Sequence, residues 1–376
     1  MKAPVTHRTS TDDERGRART RPPMRAARMA LYPRHVDSVR EKLDRLVHYA
    51  RSHRRALILT HDNPDPDSIA AGVALAHLLE KLAGVEAIVA YGGIVGRAEN
   101  RALLRVLKLP VVPLARVVFD DYDLICMVDT QPEQGNHSLP ARHFPDVVID
   151  HHPERPDSHL APVADVGGPI GATSTLVAEY FRASGLEVPA ELATALFYGI
   201  KADTRDLGRQ TTQQDIDAYL WLFPMTDKDA LSEIEHPRLP EDYFRLYHLA
   251  IEKAQVYADE VVICDLAEIY TPDMVAEVAE RFMYLDGMRW SLGFGEYDDA
   301  VYFSLRTGDR RMNAGRLIRE VIEARGGTAG GHGSMAGARL PVKGLSAAAK
   351  KRLREEVVKD FLDAFGVRSR RAKKLV

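Results

Sequence analysis

Residues 56–84 read ALILTHDNPDPDSIAAGVALAHLLEKLAG, and this stretch decides the fold. ALILT (56–60) is a short apolar run with the length of a buried strand. SIAAGVALAHLLEKLAG (68–84) carries a helical apolar spacing and closes on Gly84. Between them lies His61-Asp62-Asn63-Pro64-Asp65-Pro66-Asp67-Ser68, a turn held rigid by two prolines. The alternation continues outward. A helix is expected over 36–52, a strand over 86–91, a helix over 97–108, strands over 123–129 and 146–150, and helices over 171–185 and 191–203. This order predicts an α/β fold with a doubly wound, mainly parallel sheet covered on both faces.

The remainder divides by composition. Residues 222–242 (LFPMTDKDALSEIEHPRLPED) hold three prolines and many acids and read as a linker between a first domain at 36–221 and a smaller α+β domain at 243–366. In the second domain we expect a strand at 261–266, strands at 289–297 and 300–307, helices at 243–258, 272–285, 312–327 and 345–364, and a Gly-rich loop at 328–341. Residues 1–35 lack periodicity, hold nine Lys or Arg against three acids, and read as a disordered basic leader. That leader reads as a solvated tail or as a mis-called start ahead of Met24 or Met29, with an arm that attracts RNA as the alternative. Residues 367–376 read as a basic tail.

Composition narrows the function classes. The 376 residues are 45% apolar and 28% charged, the balance of a globular protein with a sizeable core. No apolar run approaches the ~18 residues of a membrane span, and the N-terminus lacks the apolar segment of a secretory signal. The two cysteines, Cys126 and Cys264, lie inside strand-like runs and read as reduced core thiols of a cytoplasmic protein. A net charge of −3 does not by itself call for a nucleic-acid partner.

The chemistry gathers at strand ends. ALILT runs into His61, DLICMV into Asp129, and DVVI into Asp150-His151-His152. In an open parallel sheet ligands collect outside the carboxyl ends of the strands. Asp65 and Asp67, two apart in an extended turn, can project the same way, and Ser68 could cap the following helix. Carboxylates this close repel one another unless a cation lies among them. Oxygen and imidazole donors without cysteine argue against structural zinc and suit Mn²⁺, with Mg²⁺, Co²⁺ or Fe²⁺ also compatible. The donors suffice for two ions, which at ~3.5–4 Å apart could share a hydroxide and clamp a phosphoryl group in line.

On these motifs the chain resembles the DHH-family phosphoesterases. HDNPDPD (61–67), MVD (127–129), IDHH (149–152) and GIKADT (199–204) follow the four family motifs in order, and SLRT (304–307) with Gly330-Gly331-His332 resembles the family's C-terminal substrate domain. The resemblance implies one metal on His61, Asp65 and Asp129, and a second on Asp67, Asp129, His151 and Asp203. It implies Asp129 as the bridging ligand, Asp150 orienting His151 through a hydrogen bond, and His152 facing the scissile phosphate as electrostatic stabiliser or acid. Asp129, Asp150 and His152 would thus form the catalytic set. Arg306, Gly330, Gly331, His332 and Asn313 would bind substrate in a cleft between the domains.

The two-domain layout resembles the branch of oligoribonucleases and pAp phosphatases. That implies metal-dependent hydrolysis of very short single-stranded RNA to mononucleotides, with pAp 3′-phosphatase activity beside it. Cyclic-di-AMP or pApA hydrolysis is the enzymatic alternative, and a catalytically silent nucleotide sensor the alternative of another class. The implied partners are short RNA or adenine nucleotides and no membrane, with a homodimer left open.

Overall fold

The computed structural model describes residues 38–309 and 311–376; the basic leader expected at 1–35 lies outside them. The first helix, α1 (Val39–Ala50), opens on a capping box between Ser38 and Glu41 and buries Leu43, Leu46 and Ala50. Strands β1 (Arg55–Leu59), β2 (Glu86–Tyr91), β3 (Val111–Pro113), β4 (Leu124–Val128), β5 (Val147–Asp150) and β6 (Val163–Val166) form one sheet in the order β3-β2-β1-β4-β5-β6. Every pairing is parallel. The strand order reverses between β1 and β4, which is where a ligand crevice opens in such sheets.

Helices α2 (Pro66–Ala83), α3 (Ala98–Leu107), α4 (Thr173–Ser184), α5 (Ala190–Asp203), α6 (Gln213–Leu222) and α7 (Lys228–Glu235) join α1 in one core. That core takes Cys126, Val128, Val147 and Ile149 from the sheet. Met127 and Val148, which alternate with them onto the other face, pack in a smaller cluster with Ala161 and Leu139. α5 comes close to α2 and α4 because residue 199 is glycine. A Cβ there would lie 2.4 Å from Ser174 Oγ and 3.2 Å from Asp67 Cα.

The linker is shorter than its composition suggests. Within 222–242, α7 buries Leu231 and Ile234 in the first core, and Arg105 pairs with Glu233 at 2.8 Å. Residues 241–253 already form α8 (Glu241–Lys253), whose Leu246 and Ala250 belong to the second domain. Residues 236–240 alone connect the two.

The second domain adds β7 (Gln255–Tyr257), β8 (Val261–Glu268), α9 (Asp273–Phe282), β9 (Trp290–Tyr297), β10 (Ala300–Thr307), α10 (Ala314–Ile322), β11 (Thr328–His332), β12 (Met335–Pro341), α11 (Ala347–Ala364) and β13 (Ala372–Lys374). Its sheet runs β11-β12-β10-β9-β8-β7-β13, antiparallel except between β8 and β9. α10 and α11 cover one face and α8 and α9 the other.

Two expectations change here. The Gly-rich segment is a hairpin rather than a loop, with Gly330 opposite Gly337 and Gly331 opposite Ala336. Gly331 sits at φ +127°, and a Cβ there would fall 2.5 Å from Ala336 Cα, so the close strand approach needs glycine. The basic tail is an edge strand, with Ala372–Lys374 paired to β7. Both cysteines are buried and free.

Candidate metal centre

The expected donors converge beyond the carboxyl ends of β1, β4 and β5, beside the reversal in strand order. His61 follows β1 by two residues. Its Nδ1 lies 2.9 Å from the Asp62 carbonyl, so this nitrogen carries the proton and Nε2 turns inward. Nε2 stands 3.5 Å from Asp65 Oδ1 and 3.6 Å from Asp129 Oδ2. Asp65 is the N-cap of α2, accepting from Ser68 N at 3.0 Å, while Ser68 Oγ accepts from Asp65 N at 3.1 Å. The cap is therefore Asp65, and Ser68 is its reciprocal partner three residues on.

Asp67, 1% exposed, lies between two helix starts. Its two oxygens accept from Thr173 N and Ser174 N at the head of α4, each at 2.7 Å. Asp129 follows β4 in left-handed backbone, φ +58°, a conformation costing ~1–3 kcal/mol in a non-glycine residue and typical of functional sites. Its Oδ1 accepts from Thr173 Oγ1 at 2.8 Å and stands 3.6 Å from His151 Nε2. Asp203, the last residue of α5, places Oδ2 3.2 Å from the same His151 nitrogen.

Asp150 differs from expectation. His151 Nδ1 lies 3.0 Å from the Ile170 carbonyl, so a backbone oxygen orients that ring. Asp150 instead holds His152: its Oδ1 accepts from His152 Nδ1 at 2.8 Å and from His152 N at 3.1 Å. The other oxygen accepts from Gln131 Nε2 at 2.8 Å. Gln131 is in turn fixed by Arg155 N and Ser158 Oγ on its own oxygen. Sequence reading did not single out Gln131, although it follows Asp129 by two residues at a strand end.

The charges of the cluster shift one another strongly. Burial, then Asp67, Asp65, Asp150 and Asp203, push the Asp129 carboxyl well above the usual range. Burial and then Asp203 push Asp67 up to about 6, and burial and then Asp65 raise Asp203. Burial disfavours the charged form of His61, yet the Asp65 carboxylate overrides it and lifts the imidazole to about 9. Burial likewise opposes charge on Asp65, but His61 and the Ser68 amide hold its carboxyl well below the usual range. The carboxylates thus favour positive charge among them.

Three donor groups are close enough to hold an ion. They are His61, Asp65 and Asp129; Asp67, His151 and Asp203; and Asp129, Asp150, His151 and His152, each with ligand atoms within 4.8 Å of one another. His151 Nε2 is buried without a hydrogen bond, its proton-bearing partner nitrogen already used. An imidazole lone pair aimed among carboxylates, with no thiolate nearby, fits a divalent cation.

Comparison with known proteins accords with this geometry. The model of the DHH family N-terminal domain matches residues 55–200, and that of the DHHA1 domain matches 258–364. The chain belongs to the DHH family of phosphoesterases. It is 32% identical over 310 residues to an uncharacterised protein of Methanocaldococcus jannaschii, covering 82% of this chain and 62% of that one. It is 28% identical over 160 residues to a probable manganese-dependent inorganic pyrophosphatase of Lactiplantibacillus plantarum, covering 43% of this chain and 51% of that one. The chain thus spans about three fifths and one half of these two relatives' lengths. An exopolyphosphatase-related protein of Bacteroides fragilis shares the fold at TM-score 0.69 and 17% identity, covering 86% of this chain and 97% of that one. Among the described residues no helix is long and apolar enough to cross a membrane.

The second domain brings its expected residues to different places. Arg306 is the penultimate residue of β10 and is largely enclosed, and burial comes first among the causes that lower its guanidinium to about 10. Asn313 caps α10, accepting from Arg316 N at 2.9 Å, so its carbonyl oxygen is already committed. Gly330 and Gly331 lie in β11 of the hairpin, and His332 ends that strand with its side chain outside what the structure describes. Phe303 is core, and Tyr302 receives Arg339 on its hydroxyl at 3.3 Å.

Proposed function

We propose that this DHH-family protein hydrolyses very short single-stranded RNA to mononucleotides with two Mn²⁺ ions, and removes the 3′-phosphate of pAp as a related activity. The observation that carries the reading is the pair of donor triads flanking Asp129: His61 and Asp65 on one side, His151 with Asp67 and Asp203 on the other. When bound, a cation pair supplies charge neutralisation for a phosphoryl group and a lowered pKa for an attacking water.

The chain's residues do the rest. Asp129 turns one oxygen to each triad and would serve as a ligand to both ions. Asp150 fixes the His152 ring, and against burial Asp150, with Asp203 and Asp65, raises that imidazole's pKa, which favours the charged form that can meet a developing negative charge. Arg306 comes from the second domain with a guanidinium suited to phosphate. A cleft closed by a second domain fits a dinucleotide better than a duplex, and short strands satisfy its contacts through their end phosphates.

The test offers the purified protein with Mn²⁺ a panel of pAp, pApA, cyclic-di-AMP, inorganic pyrophosphate and single-stranded RNAs from the dinucleotide upward, with products resolved by mass. The expected result is fastest turnover of the shortest strands. Preference for pyrophosphate, which the similarity to pyrophosphatases makes the informative competitor, would overturn the substrate assignment. Preference for long strands would do the same.

A further inference from the structure

The head of α3 in the first domain faces one side of α9 in the second. Asp273, Glu277 and Glu280 lie four and three residues apart on α9, so they share a helix face. Arg97, the N-cap residue of α3, and Glu99 and Arg101 behind it act on that face from the first domain. Arg97 Nη2 donates to Glu280 Oε2 at 3.0 Å. Asp273 lies against the chain just ahead of α3: a Cβ on residue 96 would fall 1.5 Å from Asp273 Oδ2, so the approach requires glycine there. The positive end of α3 favours carboxylates at that point. From α8, the Tyr243 hydroxyl donates to Glu277, and the Tyr247 hydroxyl lies 3.4 Å from that of Tyr243.

The three acids of α9 respond differently to this setting. Burial comes first among the causes that raise the Glu277 carboxyl to about 7; Glu99 and Glu280 add to it, while Arg97 and Arg101 oppose it. Burial also raises Asp273 against the same two arginines, and its Oδ2 is buried without a hydrogen bond. Burial opposes charge on Glu280 too, but Arg97, then Arg306 and Arg205, hold its carboxyl below the usual range. Arg281, the next residue on α9, lies over the Tyr284 ring. Parting the domains removes the α3 side of this contact and returns Glu277 toward the ordinary ~4.3. The joined state therefore binds the Glu277 proton more tightly than the parted one. That contribution is complete below ~4.3 and is lost as pH rises through about 7. Glu280 runs the other way: its contribution is present above ~4.3 and stays constant through the neutral range.

We propose that the contact between α3 and α9 is a proton-dependent clasp joining the two domains, which Glu277 completes when protonated and loosens when it ionises. Arg97 with Glu280, and Asp273 against Gly96, hold the clasp through the neutral range, and Glu277 sets its response to pH. One proton bound at about 7 in the joined state and at ~4.3 in the parted one lowers the ratio of joined to parted domains about tenfold between pH 6 and pH 8. The clasp holds whatever the substrate is, and it ties the freedom of the five-residue connection at 236–240 to acidity.

The test follows the distance between the domains in the full chain, with a fluorescent donor–acceptor pair attached at Glu80→Cys and Lys359→Cys, both exposed, one on α2 and the other on α11. Cys126 and Cys264 are buried and stay unlabelled. The ratio of joined to parted molecules should fall about tenfold from pH 6 to pH 8. Glu277→Gln has no proton to lose, so it should stay joined at pH 8 and show no response. Glu280→Gln loses the Arg97 bond, so its joined share should be smaller at each pH while the response persists. That variant keeps the response readable where the parent is joined throughout. A response that survives in Glu277→Gln, domains parted at both pH values in that variant, or no response in either the parent or Glu280→Gln would overturn the clasp.

Discussion

Asp150→Asn is a nearly isosteric change whose cost can be worked from the structure. Asp150 is fully buried and accepts three hydrogen bonds, two from His152 and one from Gln131. An asparagine has one acceptor oxygen. If that oxygen keeps the two His152 bonds, the new amide meets the Gln131 amide at about the present 2.8 Å, donor against donor. Gln131 cannot turn over, because its oxygen is held by Arg155 N at 2.9 Å and Ser158 Oγ at 2.7 Å. One charge-assisted bond is lost and a buried donor is orphaned, a cost of about 2–4 kcal/mol.

The pH dependence has a sign. His152 is raised in the fold, against burial, chiefly by Asp150, so its contribution is complete below the ordinary imidazole pKa of ~6.5 and fades as pH rises through the raised value. Burial opposes charge on Asp150, yet His152 lowers its carboxyl, so its contribution is present above the ordinary ~3.9 and is lost as pH falls. The destabilisation should therefore be greatest near pH ~6 and smaller at either extreme. Chemical denaturation of parent and variant without added cation measures it. A cost below ~1 kcal/mol, or one flat across pH, would refute the assignment of Asp150 to His152.

Further outcomes follow from the same geometry. Asp129→Ala should cut turnover with Mn²⁺ by at least ~10³, about 4 kcal/mol of barrier, because Asp129 faces both triads. Calorimetric titration of Mn²⁺ into that variant should show both ions weakened, and loss of only one would argue against a bridging role. Chelated protein should gain stability as pH falls through about 6, because Asp67 is raised to that value in the fold and binds its proton more tightly than in the unfolded chain. Mn²⁺ at a hundredfold over its Kd should add about 2.7 kcal/mol and flatten this slope, so an unmoved melting temperature would count against a cation site. Ile234→Ala should cost about 2–4 kcal/mol in denaturation, since α7 packs in the first core, whereas a linker residue would be neutral.

What was legible in the sequence follows from range. Periodicity and strand-end residues are local, so β1, β4, β5 and their His61, Asp129 and Asp150-His151-His152 ends could be read directly. Asp203 could be placed only by resemblance, since its position depends on α5 lying against α2 and α4, a contact that Gly199 permits and no local pattern shows. Residues 228–235 fall within a stretch whose prolines and acids suggest a linker, yet Leu231 and Ile234 repeat at helical spacing and are buried. Glycines concealed the hairpin, although Ala336, Ala338 and Leu340 alternate with polar or small residues as strand residues do. Which imidazole Asp150 would hold was not decidable from adjacency, because the carbonyl that takes His151 belongs to Ile170, nineteen residues away.

The three-dimensional arrangement explains why mutually repelling carboxylates stay buried. Each is stabilised from behind by donors of the chain: Asp67 by two amides at the head of α4, Asp129 by Thr173 Oγ1, Asp65 by the Ser68 amide, Asp203 by Arg209. Helix starts favour negative charge within the first turn, so the amides of α2 and α4 hold carboxylates in place without neutralising them. Their remaining lone pairs point toward one another and toward His61 and His151. A cluster evolved only for stability would turn such groups to solvent or pair them with lysine. Here the one arginine that touches the cluster, Arg209, holds Asp203 from its outer side and leaves the inward lone pairs uncompensated.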